Sequence, residues 1–393
     1  MQSIPVPVPA SVPADTDVLV VGAGPTGLAV AAALASRGVR ATVVDNQPEG
    51  TNTSRAAVVH SRTLEVLESI GATAPLVERG IRAPRFTIRD RDRVLLPVDF
   101  DQLPTRYPYT LMISQAETEA VLLERLQRLG GKVLRPLTVT GLAQDDASVT
   151  ATLADGRTIR ARYVVGADGS HSRVREGMQI GFPGESYHES FLLADVRLTG
   201  DLPSDEVILF FSPEGMVVVA PLPGGVHRIV ATLDPAPEQP TVADVQAILD
   251  ARGPRRSPPR VREVLWGSRF RVQHRVADRY VSGRVAIAGD AAHVHSPAGG
   301  QGMNTGIQDG MALADALVAE LAQGDTTALA RYADARRPIA LQVVALAHRL
   351  TRLATMGRLL RRMRNLLLRT LAVMPRFRRK MALQLSGLVF RPR

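Results

Sequence analysis

Val20–Asp45 reads VVGAGPTGLAVAAALASRGVRATVVD, and this stretch decides the fold. The residues before it, DVLVV, form a short β-branched run without a helical period, and an Ala/Leu-rich helix follows to about Gly38. A strand, a turn and a helix are therefore expected. Gly22, Gly24 and Gly27 fit the G-x-G-x-x-G spacing, in which the glycines allow a tight turn, close backbone approach to a pyrophosphate, and close packing of helix on strand. The next strand, ATVVD, ends in Asp45, where a carboxylate can accept hydrogen bonds from an unphosphorylated ribose. The stretch predicts a dinucleotide site and leaves NAD and FAD open.

Composition narrows the class. With 393 residues, 45% hydrophobic and 22% charged, the chain can bury a large core and make two domains, or one with an insertion. It has no cysteine, which excludes disulfide scaffolds, thiolate metal sites and Cys nucleophiles. The Pro-rich start, residues 1–15, reads as an extended tail rather than a signal peptide, and no apolar run is long enough for a transmembrane helix. A cytoplasmic location is expected. The net charge of +10 is uneven: residues 331–393 hold 16 Lys plus Arg against one acid, Asp334, so the first 330 residues carry a small negative balance. Such an asymmetry belongs to a tail rather than to a nucleic-acid-binding body.

Further along, SQAETEAVLLERLQRL (Ser114–Leu129) reads as a capped helix, and Asp155–Gly156 marks a hairpin feeding back into the main sheet. Between Ser186 and Arg279 the strands FLLADVRL, EVILFF, MVVVAPL and HRIVATL follow one another with one helix near Val242–Asp250, which predicts an inserted antiparallel sheet. Expected boundaries are 16–185 and 280–335 for the nucleotide domain, 186–279 for the insertion, and 336–393 for a basic helical segment. In that segment Leu346, Leu350, Leu353, Gly357, Leu360, Met363, Leu367 and Leu371 recur at helical spacing. The stripe fits either packing on the body or contact with a membrane surface or an acidic partner.

Two more motifs accompany the glycine turn: RYVVGADGSHSRVRE (Arg162–Glu176) and GRVAIAGDAAHVHSPAGGQGMNTGIQDG (Gly283–Gly310). With them the chain resembles the FAD-dependent aromatic hydroxylases, the class A flavoprotein monooxygenases related to para-hydroxybenzoate hydroxylase and the polyketide hydroxylases. The resemblance covers about Asp17–Gly387. It implies an α/β fold: a Rossmann-type FAD-binding domain, an inserted antiparallel β-sheet substrate domain and C-terminal helices. It also implies that Asp290 bonds the ribityl or ribose hydroxyls of FAD. Pro297, Gly299, Gly300, Gln301, Gly302, Met303 and Asn304 would set backbone N–H groups and a helix N-terminus against the flavin pyrimidine ring. Asp168 and Arg175 would lie near FAD, and Gln115 and Arg55 would add FAD contacts. One departure is that Asn46 and Gln47 follow Asp45 where the family often has a basic residue.

The activity implied is hydroxylation of an aromatic substrate with FAD, NADPH or NADH and O2, through a flavin C4a-hydroperoxide. A polycyclic phenol or polyketide-like compound is expected to lie against an apolar wall at Leu209, Phe211, Val217 and Val219 of the inserted sheet. The alternatives are Baeyer–Villiger or epoxidising oxygenation, or a flavin-binding partner protein with little turnover. No catalytic base is assigned, although Tyr109, Tyr187, His188 and His60 are conceivable. Asp290, His293 and His295 look like metal ligands, but no second cluster completes a site and no metal is expected. No nucleic-acid partner is expected.

Overall fold

The computed structural model describes residues 11–50, 56–354 and 358–391, with backbone alone at 186–189, 271–272, 354 and 358–359. The strand Asp15–Val21 lies at the centre of a sheet. It pairs in parallel with Ala41–Val44 on one side and Thr158–Gly166 on the other. Val285–Ile287 extends the sheet in parallel beyond Thr158–Gly166, and Val133–Leu134 beyond Ala41–Val44. Val18, Leu19 and Val20 are fully buried, as expected of a central strand covered on both faces. The Asp155–Gly156 hairpin forms as expected, with Val149–Leu153 antiparallel to Thr158–Gly166.

The helix Pro25–Ala35 covers one face of this sheet, and its alanines let the helix Gly302–Gln323 pack close to it. Glycines set the crossing: a Cβ on Gly306 would stand 2.6 Å from Thr26 Oγ1, and one on Gly310 3.0 Å from the Thr26 carbonyl oxygen. One turn before Gly306, the second helix begins, so both helix N-termini open at the same edge of the sheet.

A second sheet of eight strands is built on the long pair Gly184–Thr199 and Arg260–Val276. It also includes Glu206–Ser212, Gly215–Leu222 and Val226–Thr232. The expected α/β architecture holds, but its boundaries need revision. Arg85–Asp90 and Arg93–Asp99, expected within the nucleotide domain, belong to the second sheet, because Arg85–Asp90 runs parallel to Glu206–Ser212. The boundary at 335/336 cuts one continuous helix, Ala328–Ala354, whose Arg336 reaches into the first domain. Among the described residues the tail forms the expected C-terminal helices, Ala328–Ala354, Arg358–Ala372 and Pro375–Leu385.

The apolar wall is also revised. Leu209 pairs with Val218 and Phe211 with Met216, whereas Val217 and Val219 pair with Phe210 and Ile208. Side chains alternate across a strand, so Val217 and Val219 face the other way. They pack against Val245, Ile248 and Leu249 of the helix Val242–Arg252. Leu209 and Phe211 share the opposite face with Phe191, Met216, Val218 and Phe270.

Candidate active site

The parallel strands end side by side, and each expected acid follows one of them: Asp45 after Ala41–Val44, Asp168 after Thr158–Gly166, Asp290 after Val285–Ile287. The glycine turn follows Asp15–Val21 between them. Ligands of open parallel sheets bind at such carboxyl ends.

In the turn, Gly22 has φ +101°, and a Cβ there would meet the Ala167 carbonyl oxygen at 2.3 Å. On Gly27 it would meet the Gly22 carbonyl oxygen at 1.9 Å, whereas on Gly24 nothing lies within 4 Å. Gly22 and Gly27 thus let the protein pack on itself, and Gly24 leaves room for a ligand. The helix that follows has no side-chain cap and no acid in its first turn. The same is true of Gly302–Gln323. The first N–H groups of a helix need partners, and anions supply them. Two adjacent uncapped N-termini therefore fit a ligand with two acceptor-rich ends, such as the pyrophosphate and the pyrimidine edge of FAD.

Asp45 accepts a hydrogen bond from Ala23 N–H at 2.6 Å and from Gln47 N–H at 2.8 Å, which aims the carboxylate while leaving lone pairs for a ribose diol. No basic residue follows Asp45, but an arginine of another strand stands beside it. Arg135 Nε lies 3.9 Å from Asp45 Oδ1, and its Nη2 donates to the Ala23 carbonyl at 3.3 Å. Sequence reasoning missed Arg135. The signal was that KVLR ends in arginine beside ATVVD, with Leu134 paired to Val44. Gln115 Nε2 donates to Glu119 at 2.9 Å, and Oε1 accepts from Ala56 N–H at 3.4 Å. Burial pushes the Glu119 carboxyl up. Arg55 lies outside the described residues.

Asp168 serves its own loop. It accepts from Ser172 Oγ at 2.5 Å and from the N–H groups of Arg173 at 2.7 Å and Val174 at 3.2 Å. Burial pushes this carboxyl up against those bonds. Arg175 is buried, donating to the Ala291 carbonyl at 3.1 Å and the Ser170 carbonyl at 3.0 Å, with Phe182 4.0 Å from its guanidinium. It joins the Asp168 loop to the Asp290 loop. Asp290 is exposed at the strand end.

The Pro297–Asn304 loop is held from three sides. Gly299 and Gly300 take φ +88° and +63°, and a Cβ on Gly300 would stand 2.3 Å from Val58 Cγ1. Asn304 Nδ2 donates to the carbonyls of Val58 at 2.9 Å and Gly300 at 2.7 Å, while its Oδ1 accepts from His60 N–H at 2.7 Å. Gln301 Nε2 donates to the carbonyls of Gly299 and Leu385. The side chains of Asn304 and Gln301 therefore shape the loop, and the backbone N–H groups of Gly302, Met303 and Asn304 form the uncapped first turn of the helix.

His60, a conceivable base from the sequence, has a structural role in the loop. Its Nε2–H donates to the Gly299 carbonyl at 2.9 Å, so the ring braces the loop in its neutral form. Burial pushes it down to about 4, and His295 likewise to about 4. A histidine depressed below its unfolded value near 6.5 contributes stability that is complete above that value and is lost as pH falls toward 4. The thermal midpoint should therefore fall between pH 6.5 and 4, with His60 contributing on the order of 3 kcal/mol. A His60→Gln variant should show a shallower fall over that window in thermal scans; an unchanged slope would contradict the assignment.

Under the loop, Asp309 is fully buried and accepts from His293 Nε2 at 2.6 Å and Arg336 Nε at 2.5 Å. Burial pushes its carboxyl up, but Arg336 and His293 outweigh that and hold it low. His293 is thereby a structural partner, and no group of metal-ligating residues occurs among the described residues. Tyr109 lines a separate cleft with Arg82, Arg106 and Tyr107. The side chains of Tyr187 and His188 lie outside the described residues.

Across the loop stands the second sheet. A Cβ on Gly299 would lie 3.4 Å from Leu350 Cδ1 and 3.7 Å from Leu385 Cδ2, and both leucines pack with the Leu209 and Phe211 face. Buried Arg228 fixes the sheet: it pairs with Asp195 through two bonds of 2.7 Å and donates to the Ala56 carbonyl at 2.7 Å.

The family model described as "FAD binding domain" matches residues 15–347. A 6-methylpretetramide 4-monooxygenase of Streptomyces rimosus is 42% identical over 76% of this chain and 54% of its own length. A pentachlorophenol 4-monooxygenase of Sphingobium chlorophenolicum is 36% identical over 85% of this chain and 64% of its own length. The chain thus spans between half and two thirds of these relatives. The crystal structure of a p-nitrophenol 4-monooxygenase of Pseudomonas putida superposes with a TM-score of 0.85 at 26% identity, covering 96% of this chain and all of that one. An anhydrotetracycline hydroxylase of Streptomyces rimosus superposes at 0.78 with 32% identity, covering 95% of this chain and 76% of that one. No helix among the described residues is long and apolar enough to cross a membrane. On the family match and these relatives together, the chain belongs to the FAD-binding family of the aromatic monooxygenases.

Proposed function

We propose that the chain is the catalytic core of an FAD-dependent monooxygenase that uses NADPH or NADH and O2 to hydroxylate a bulky aromatic substrate, a polycyclic phenol or polyketide-like compound. The observation that carries this reading is the pair of uncapped helix N-termini opening beside an apolar sheet face. The names of relatives acting on a pretetramide, a chlorophenol and an anhydrotetracycline support an electron-rich ring as substrate.

FAD, when bound, supplies hydride acceptance and oxygen activation, so the protein's task is placement and charge. Asp45, Asp290 and Arg135 would hold the ribose, ribityl and pyrophosphate groups. The N–H groups of Gly302, Met303 and Asn304 and the helix dipole behind them favour negative charge on the flavin's pyrimidine edge. The face carrying Leu209, Phe211 and Met216, closed by Leu350 and Leu385, would exclude water from the reacting ring. These leucines and Phe211 replace Val217 and Val219 in the expected wall. On that face Arg228 is paired to Asp195, and Arg364, over the Phe211 ring, donates to the Leu353 carbonyl and to Asn365, which favours a neutral substrate over a benzoate.

The test is the stopped-flow rate of flavin reduction by NADPH or NADH, with and without a panel of polycyclic phenols. Acceleration by one compound is the expected result. Bound FAD that no compound makes reducible would favour a flavin-binding partner protein with little turnover.

A further inference from the structure

The helix Arg358–Ala372, RLLRRMRNLLLRTLA, sits with its polar side against the protein. Arg361 and Asn365 both donate to the Asp90 carboxylate, at 2.5 and 2.8 Å. Arg364, 4% exposed, lies over the Phe211 ring at 4.4 Å and donates to the Leu353 carbonyl at 2.9 Å. Leu368 completes the buried side. These contacts fix the rotation of the helix. The opposite side carries Leu360, Met363, Leu366 and Leu367, each 52–69% exposed, and Val373 and Met374 at its end continue the patch.

The expected stripe therefore splits. The Ala328–Ala354 part packs inward through Leu350, but Leu360, Met363 and Leu367 face solvent. Scattered surface leucines need no explanation, whereas a contiguous apolar patch marks a contact surface. Its surroundings are cationic: Arg362, Arg369, Arg376, Arg379 and Lys380 are exposed, and no acid follows Asp334 in the sequence. Asp99, on the neighbouring strand, faces Arg378 at 3.9 Å.

We infer that this face docks on an anionic phospholipid surface, the apolar side chains entering the headgroup boundary and the arginines and Lys380 meeting lipid phosphates. Charge decides between occupants. A second copy placed by a two-fold axis would bring the same cationic rim against itself. The exposed patch is built of Leu, Met and Val and carries no aromatic anchor of the kind that dominates protein interfaces. A bilayer needs no more than an apolar ridge on a helix flanked by cations. Since the helix is far too short and too charged to span, it would lie in the interface plane.

The purified full chain, loaded with FAD, would be sedimented with vesicles of phosphatidylcholine alone or mixed with phosphatidylglycerol. The expected result is binding to the anionic vesicles stronger by on the order of tenfold, weakening as salt is added. The double variant L366E/L367E changes two exposed positions, so its thermal midpoint and FAD content should match the parent while vesicle binding is lost. Arg362→Glu with Arg369→Glu should weaken binding to anionic vesicles alone. Three results would overturn the inference: equal partition onto both lipids, binding unchanged in L366E/L367E, or no binding to anionic vesicles, whether or not the chain instead forms a dimer or an acidic-protein complex broken by the same variant.

Discussion

Gly27→Val is expected to give a chain that holds no FAD, and Gly24→Ser a stable chain that holds it on the order of 30-fold more weakly, about 2 kcal/mol. The two glycines stand three residues apart but fail for different reasons. A Cβ on Gly27 would lie 1.9 Å from the Gly22 carbonyl oxygen, so the turn itself must open, and the apoprotein should unfold at lower temperature. Gly24 has φ −76°, which any residue adopts, and open space around its missing Cβ. Serine there is a good N-cap. Its hydroxyl would satisfy the helix N–H groups that the pyrophosphate takes, leaving the apoprotein as stable as its parent or more so. Titrating FAD into each apoprotein, followed by flavin fluorescence, separates the cases. FAD affinity of Gly24→Ser equal to the parent would mean that the ligand lies elsewhere.

Asp309→Ala carries the largest expected loss of stability, about 3–5 kcal/mol. The carboxylate lies fully buried between Arg336 and His293, and removing it leaves a guanidinium in the interior without its counter-charge. It also unties three segments at once: the helix that begins at Gly302, the strand His293–Val294 beside the Asp290 loop, and the tail helix that carries Arg336. FAD retention should fall with the thermal midpoint. Asp309→Asn should lose less, since its amide oxygen still accepts one of the two bonds. A midpoint unchanged in Asp309→Ala would show that the network contributes little.

The nucleotide half was legible in the sequence because its signals are local. The glycine spacing, the strand ending in Asp45 and the strand ending near Asp290 each lie within a short run whose conformation its own residues dictate. What stayed hidden depends on pairing between distant segments. Arg135 stands beside Asp45 only because Leu134 and Val44 share a register. His60 reaches Gly299 across 239 residues of chain. Strand phase hid which residues share a face: MVVVAPL is apolar at successive positions, so alternation gives no clue to which valines lie with Leu209 and Phe211. Arg85–Asp90 could not be assigned to the second sheet for the same reason, since its partner lies beyond residue 200. The sequence shows Asn304 and Gln301 within one Gly-rich loop but not that their side chains brace it, since their partners Val58 and Leu385 lie far off in the chain. In the tail, helical spacing located an apolar stripe without saying which side packs inward, and the Asp90 carboxylate turns the polar side in.

The most direct test of the account is a turnover under isotopically heavy molecular oxygen, with FAD-loaded protein, NADPH and the polycyclic phenol that most accelerates flavin reduction. Mass spectrometry and NMR of the product should show one heavy oxygen atom on a ring carbon. Product without heavy oxygen, or complete consumption of NADPH with all the oxygen released as hydrogen peroxide, would contradict aromatic hydroxylation by this chain.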